Sequence, residues 1–411
     1  RMTVTLIDRN PTHMWKPLLH EVAAGSIDPF AHQLEYAAQA HWHGFEFEQG
    51  ELVGIDRINR QVIVGALCDE QGEHILPART LPYDTLVLAI GSTTHYFDVK
   101  GAAEHSLALD TVPQAERFRR RLIAAAMRAG HCDRHGAAHA PGARVPRVNI
   151  AIVGGGATGV ELAAELRSAT DALAAYGLHK LDPVRDIRIA LIDSGSRILP
   201  ALTERVSSAA LNILRKRGID VMTGESIVEV TRDALHTANG KIIPADLTVW
   251  AAGIRAPAVI AWLGLPVNPL GQVLVRPTLQ TDDDNVFAIG DCAACPLPNG
   301  SRNVPPRAQA AHQQASFLVK AMKRRLDGAA LPAFHYRDLG SLVSLGHTSA
   351  VGSLMGGLAG GSLFIGGIVA RVMYKSLYRM HVAALHGWKR MVLNTIAHRL
   401  RRATVPRVKL H

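Results

Sequence analysis

Three glycines are the residues whose spacing most plainly serves a chemical task. Residues 148–166 read VNIAIVGGGATGVELAAEL: an apolar run, a Gly154-x-Gly156-x-x-Gly159 turn, and the start of a helical pattern. Such a turn cradles a pyrophosphate. The first glycine permits the tight turn, the second lets backbone approach the phosphates, and the third lets helix and strand pack closely. The free N–H groups at the helix start then face the negative charge. The next strand ends in Asp193. An acid at that position accepts a hydrogen bond from a ribose 2′-OH and repels a 2′-phosphate, which favours NADH over NADPH. Asp193 comes later than the ~20 residues usual for such a unit, and residues 168–187 read as an insertion. A chance glycine turn is the bland alternative. The strand before it, the helix after it and the acid beyond it count against chance.

A second nucleotide site is traced in pieces. Strand 3–8 ends in Asp8 as the later strand ends in Asp193, so the chain opens as though halfway through another copy of the unit. A further strand and glycine turn are expected ahead of it. Residues 284–291, DNVFAIGD, supply a strand that delivers Gly290-Asp291. In flavoproteins with two dinucleotide sites, such an Asp meets ribityl or pyrophosphate oxygens of the flavin. Two nucleotide sites in one chain imply electron traffic between nicotinamide and flavin.

These residues need a scaffold, and the chain is long enough to supply it. Its 411 residues exceed one ordinary domain, and 48% hydrophobic with 19% charged residues is a globular composition. Short β-rich runs alternate with helical stretches, which predicts parallel sheets. Strands are expected at 3–8, 86–90, 148–153, 188–193, 247–251 and 286–289, and helices at 158–173, 204–217 and 308–326. Residues 128–147, rich in Gly, Ala, Pro, His and Arg, read as a surface loop before a second domain. The fold class is α/β, with two Rossmann-like dinucleotide-binding domains, for FAD and NADH, and a C-terminal membrane-binding amphipathic helical region. The linear division assigns 1–112 to the first part of the FAD domain and 113–270 to the NADH domain with its linker. It gives 271–330 to the return of the FAD domain and 331–411 to a C-terminal hairpin and basic region.

On these motifs the sequence resembles the type II (non-proton-pumping) NADH:quinone oxidoreductases of the two-dinucleotide-binding flavoprotein superfamily. The likeness covers nearly the whole chain. Besides the glycine motif, its most specific stretches are HMWKPLLHEVAAGSID (13–28), VWAAGI (249–254), TLQTDDDNVFAIGDCA (278–293), VPPRAQAAHQ (304–313) and SLYRMHVAALHG (376–387). The resemblance implies FAD and NADH as cofactors and a quinone as acceptor. It implies that Asp8 holds the FAD adenosine ribose and that Lys16, Pro17 and Leu18 lie along the flavin. Ala89 and Gly91 would pass beneath the cofactor, Asp291 would hold its ribityl chain, and Gly290 before it belongs to the cofactor-binding set. Ala252 and Gly253, within VWAAGI, join the cofactor-binding set in the same way. Glu161 would sit near the nicotinamide–flavin contact, with Gln309 and His312 beside the isoalloxazine on the quinone side. Glu161, Gln309 and His312 are thus the expected catalytic residues, and no metal is implied. The resemblance also implies a homodimer, attached peripherally to the cytoplasmic face of the inner membrane. Glu161 and His312 have plainer readings too: a first-turn glutamate favoured by the helix dipole, and a helix-surface histidine.

The cysteines narrow the acceptor. Cys68, Cys132, Cys292 and Cys295 are too few for a disulfide scaffold. Flavoproteins that reduce disulfides or peroxides keep a cysteine against the flavin early in the first domain, and Cys68 lies beyond that region. Cys292-x-x-Cys295 reads as structural, and no second pair completes a zinc set. A diffusible acceptor reaching the flavin directly is the reading that remains.

The charge points to the acceptor's surroundings. The net charge is +10; no Asp or Glu follows Asp338, while Arg371, Lys375, Arg379, Lys389, Arg390, Arg399, Arg401, Arg402, Arg407 and Lys409 do. At about 100° per residue over 369–391, Arg371, Lys375, Arg379 and Lys389 fall in one quadrant. Val369, Val372, Met373, Leu377, Met380, Ala384, Trp388 and Met391 gather on the other side. Such a helix suits a bilayer interface of anionic lipid; a domain helix with a solvated basic face is the plainer alternative. Nucleic acid, the other partner for basic charge, lacks a recognised binding module here. Val351–Ala370 carries no charge and has Gly352, Gly356 and Gly360 at GxxxG spacing. Seven of its twenty residues are glycine, and 341–345 and 349–354 read as short strands joined by a turn, so lying on the membrane is expected rather than spanning it. His131, His135 and His139 read as solvated loop residues. Two other readings stay open: a non-catalytic NAD-binding membrane protein, and a flavoprotein reductase with another acceptor.

Overall fold

In this computed structural model the described residues are 2–132, 148–175, 182–298, 300, 302–346, 349–355 and 362–401. Outside them fall His135, His139, Gly356, Gly360, Arg402, Arg407, Lys409 and the middle of the expected insertion. The chain lays down, in order, strand β1 (Thr5–Asp8), helix α1 (Leu19–Ala24), β2 (Glu46–Gln49), β3 (Leu86–Leu88), α2 (Val112–Cys132), β4 (Val148–Val153) and α3 (Ala157–Ala175). There follow β5 (Ile187–Asp193), α4 (Glu204–Lys216), β6 (Ile219–Thr223), β7 (Leu247–Trp250), β8 (Val286–Ala288) and α5 (Ala308–Leu326). The last elements are β9 (Gly340–Ser344), β10 (Ala350–Met355), β11 (Ser362–Gly366), α6 (Gly367–His386) and α7 (Trp388–Arg401), with further strands, a two-turn helix at Tyr36–His43 and single-turn helices interspersed along the chain. Two compact units result: residues 1–14, 33–95 and 254–338, and residues 15–32, 96–253 and 339–411.

The second unit is built on a parallel sheet in the order β6-β5-β4-β7. Its inner strands are unbroken apolar runs because both faces are covered: Ile150, Ile152, Ile189 and Leu191 are fully buried. Helix α4 has Glu204 in its first turn and Arg215 and Lys216 in its last, which complements the dipole. Gly218, at φ +71, then turns the chain into β6. Helix α2 buries Ala115, Phe118, Leu122 and Ala125 at helical spacing.

The units cut the chain elsewhere than at 112/113, 270/271 and 330/331. Residues 96–112 join the second unit because Leu107 bridges to Val249 of β7 and Lys100 pairs with Glu229 in a neighbouring strand of that unit. Residues 15–32 join it because α1 packs on α2 and α3, burying Val22 and Ala23. The C-terminal segment joins it because β9 lies on α3 and β10 on α4. Periodicity along a segment cannot show which of two similar sheets it will cross to.

Strands β9, β10 and β11 form an antiparallel sheet. The uncharged stretch 351–370 therefore contributes two strands and a helix start. Among the described residues no helix is long and apolar enough to cross a membrane. The single amphipathic helix expected over 369–391 is two helices. Gly387, at φ +79 and ψ 160, adopts a backbone conformation that glycine alone takes easily, which ends α6 and assigns Trp388, Lys389 and Met391 to α7.

The first unit holds, among its described strands, three separate parallel pairs: β1 with β2, β3 with β8, and the short strands Val273–Leu274 and Ala293–Ala294. Its core gathers Leu88, Ile260, Val273, Phe287 and Leu318.

Candidate cofactor and electron-transfer sites

The glycine turn leaves the end of β4. Gly154 takes φ +116, and a Cβ there would stand 2.7 Å from the backbone of Ala251 and Ala252. A Cβ on Gly159 would collide with the Gly154 carbonyl oxygen. Internal packing therefore demands both glycines. Gly156 differs: a Cβ on it meets nothing within 4 Å. Open space over the second glycine, at the N-terminus of α3, is the cradle a pyrophosphate needs. The residues present fit NADH. Gly253, at φ +67, packs so closely on Phe97 that a side chain would strike the ring. Trp250 Nε1 donates to the Ala252 carbonyl at 3.0 Å, fixing the loop that backs Gly154.

Asp193 ends β5, with its carboxylate held by backbone donors on both sides. The Gly155 N–H donates to Oδ2, and the Gly195 N–H donates to Oδ1 at 2.7 Å. The carboxylate thus supports the glycine loop while keeping its charge at the strand end. Arg197 does not neutralise it, because its guanidinium donates to the Leu199 and Pro200 carbonyls. Asp193→Asn is expected to raise the NADPH:NADH ratio of kcat/KM about tenfold or more. An unchanged ratio in steady-state kinetics would remove Asp193 from specificity.

In the first unit, Asp8 ends β1 and accepts from the Asn10 N–H at 2.8 Å, the Asn10 amide at 3.1 Å and the Tyr36 hydroxyl at 3.3 Å. Burial and the Asp8 carboxylate hold the Tyr36 phenol well above its usual range. At the ends of the paired strands β3 and β8, two turns meet. Gly91 takes φ +70 and Gly290 φ +72. Ser92 Oγ donates to Asp291 Oδ2 at 2.8 Å, Gln272 Nε2 to the Asp291 carbonyl at 2.8 Å, and the Gly290 N–H to Gln314 Oε1 at 2.7 Å. The carboxyl ends of parallel strands are where open α/β sheets take nucleotides. Exposed Ala89, the two glycine turns and the oriented Asp291 fit FAD.

Ser92, Gln272 and Gln314 escaped the sequence reading. Ser92 directly follows Gly91 and Gln314 lies one residue past AQAAHQ, so both had a positional signal; Gln272 had none. Of the expected α5 residues, Gln309 Nε2 donates to Asp338 Oδ1 at 3.3 Å, a carboxylate that Arg307 also pairs at 3.2 Å. His312 stands exposed on the same helix. Gln314 is the glutamine that reaches the Gly290 turn. Lys16, Pro17 and Leu18 form a single-turn helix in the second unit, with Lys16 exposed and Leu18 buried.

Cys292 and Cys295 are buried, and burial pushes each thiol up to about 11. Cys292 donates to the Ile289 carbonyl at 3.2 Å. Both are protonated at neutral pH and unsuited to attack.

Glu161 lies in the second turn of α3 and points inward, so the helix dipole does not account for it. Its Oε1 accepts from the Ser344 N–H of β9 at 2.9 Å, and its Oε2 is 3.8 Å from His20 Nδ1 of α1. Tyr374 of α6 faces the same carboxyl. Glu165, one turn on, accepts from Ser26 Oγ. Burial, with Glu21 and Glu165 nearby, pushes Glu161 up to about 8, although the Ser344 and Tyr374 hydrogen bonds oppose it. Burial lowers His20 to about 4. At neutral pH the pair is a protonated acid beside a neutral imidazole. That arrangement can release a proton without first creating a buried charge pair.

A strand–turn–helix with a strand-end acid in one unit, and a Gly-Asp turn held across parallel strands in the other, define a two-dinucleotide flavoprotein oxidoreductase. The family model for pyridine nucleotide-disulphide oxidoreductases matches residues 1–315. A type II NADH:quinone oxidoreductase of Haemophilus influenzae is 43% identical over 415 residues, covering 99% of this chain and 93% of that protein. The type II NADH:quinone oxidoreductase NdhA of Mycobacterium tuberculosis is 26% identical over 418 residues, covering 94% and 81%. In fold, NDH2 from Plasmodium falciparum in complex with NADH superposes with a TM-score of 0.79 at 18% identity, over 96% of this chain and 92% of that one. The chain belongs to the type II NADH:quinone oxidoreductases, a branch of that family. It is an enzyme, an oxidoreductase that uses NADH and FAD.

Proposed function

We propose that the enzyme passes the electrons of NADH to a membrane quinone without translocating protons. The observation that carries this reading is the outer face of α6 and α7. Ile368, Val369, Val372, Leu377 and Met380 are exposed on α6, and Trp388, Leu393, Ile396 and Leu400 on α7. Arg371, Lys375 and Arg379 stand half-buried beside them. A helix facing water would turn these apolar residues inward. The inverse arrangement, with cations alongside, suits helices lying in a bilayer interface. A lipid-soluble acceptor fits that surface, and the names of both relatives specify a quinone.

FAD, when bound, supplies the two-electron chemistry between nicotinamide and quinone. The residues supply position and protons. The Gly154–Gly159 turn takes the NADH pyrophosphate and Asp193 its ribose. Asp8, Gly91, Gly290 and Asp291 take the flavin nucleotide. Glu161, protonated at neutral pH, gives a proton toward the reduced acceptor, and Gln309 and His312 belong to the quinone side. The buried, protonated cysteines argue against a sulfur relay.

Steady-state assays with NADH, NADPH and a short-chain quinone test this reading. NADH-dependent quinone reduction is expected; NADPH preference or strict dependence on a disulfide substrate would overturn it. Met380→Glu should weaken vesicle binding about tenfold or more, since it removes one buried apolar side chain and adds a charge. Undiminished co-sedimentation would argue against α6 as the lipid face.

A further inference from the structure

The single turn around Phe30 exposes an aromatic ring that neither the NADH site nor the outer face of α6 explains. Phe30 is 79% exposed, yet the turn beneath it is well tied. The Asp28 side chain accepts from the Phe30 N–H at 3.1 Å, His32 Nδ1 lies 2.9 Å from the Asp28 carbonyl oxygen, and Pro29 is buried. A capped turn holding a phenyl ring in the open cannot readily fold that ring back onto the protein. The turn is also coupled to α6 through rings. His32 lies 5.9 Å from Tyr378, and Trp15 lies 5.5 Å from Tyr378 and stacks on His381 at 5.4 Å. Tyr378 and His381 alternate along α6 with Leu377 and Met380, which are 43% and 66% exposed. Half-buried rings with polar tips, bordering an exposed apolar face, have the composition of a membrane-interface belt.

We propose that the Asp28–His32 turn is a second lipid contact, with Phe30 inserting into the bilayer surface that takes the outer face of α6. This rests on the membrane reading of α6. A bilayer, rather than a protein partner, is the occupant because the segment after Asp338 carries cations and no acid, which matches an anionic lipid surface. A lipid contact from a distant part of the chain, added to those of the C-terminal helices, fixes the tilt of the enzyme on the membrane.

The test places an environment-sensitive fluorophore at position 30, as Phe30→Cys in a Cys68→Ser, Cys132→Ser background of the FAD-loaded enzyme. Met380→Cys in the same background is the reference. Vesicles of phosphatidylcholine and phosphatidylglycerol are expected to blue-shift both labels, and brominated lipid to quench both. Phe30→Ser should weaken vesicle partitioning about tenfold with NADH affinity unchanged. A response at 380 without one at 30 overturns the second contact and leaves the membrane reading standing. Silence at both positions overturns both. A shift at 30 that follows protein concentration instead of lipid identifies a second copy as the occupant, and equally overturns the proposal.

Discussion

Gly156→Ala is expected to weaken NADH binding about a hundredfold while barely moving the melting temperature, and Gly159→Ala to do the opposite. A methyl group on Gly156 meets no protein atom within 4 Å, so the fold has no reason to resist it. It occupies the space where phosphate must approach backbone. Hydrogen bonds to a charged group contribute about 1.5–3 kcal/mol each, and losing one or two of them is about tenfold to ten-thousandfold in affinity. A methyl group on Gly159 strikes the Gly154 carbonyl oxygen, which is backbone and cannot rotate away. Overpacking of that kind costs about 1–3 kcal/mol or more, which lowers the melting temperature by roughly 2–4 °C per kcal/mol in a unit of this size. Fluorescence titration with NADH and thermal denaturation of both variants separate the effects. Equal destabilisation by the two would show that the second glycine serves packing rather than phosphate.

Glu161→Gln is expected to slow quinone reduction about a hundredfold, the scale of a positioned acid, and to change the pH dependence of stability in a defined direction. The folded carboxyl titrates at about 8 against 4.5 for the unfolded chain. Below 4.5 both states hold the proton, and the contribution to stability is fully present. As pH rises from 4.5 to 8 the unfolded chain ionises first, so stability is progressively lost; above 8 both states are ionised and the loss stops. Glutamine has no such loss. The variant should therefore gain on the wild type across that window and then run parallel to it. His20 works in the other direction: lowered to about 4 from 6.5, it costs stability as pH falls through that interval. The difference between wild type and Glu161→Gln isolates the carboxyl. Turnover that is unchanged, with an unshifted pH profile, would leave Glu161 a buried packing group only.

The divide between what was legible in the chain and what was not follows the range of the forces involved. The Gly154–Gly159 turn, the strand-end acids Asp8 and Asp193, and the helices over 157–175, 204–216 and 308–326 were readable because their determinants lie within a few residues of each other. Gly387 was readable in principle. The amphipathic count overran it because that count registers side-chain phase and takes no account of backbone conformation. The protonated state of Glu161 was not readable. It depends on α1, β9 and α6, which approach α3 from distant parts of the chain and remove its carboxyl from water. Nor were the bonds of Ser92 and Gln272 to Asp291, or of Gln314 to Gly290, since strand pairing sets the distances between them. Sequence by itself determined the strand–turn–helix at Gly154–Gly159 and the placing of Asp8, Asp193 and Gly290-Asp291 at strand ends. Only the tertiary structure decided which carboxyl keeps its proton and which faces of the last helices stay uncovered, because burial is a property of what packs against a residue.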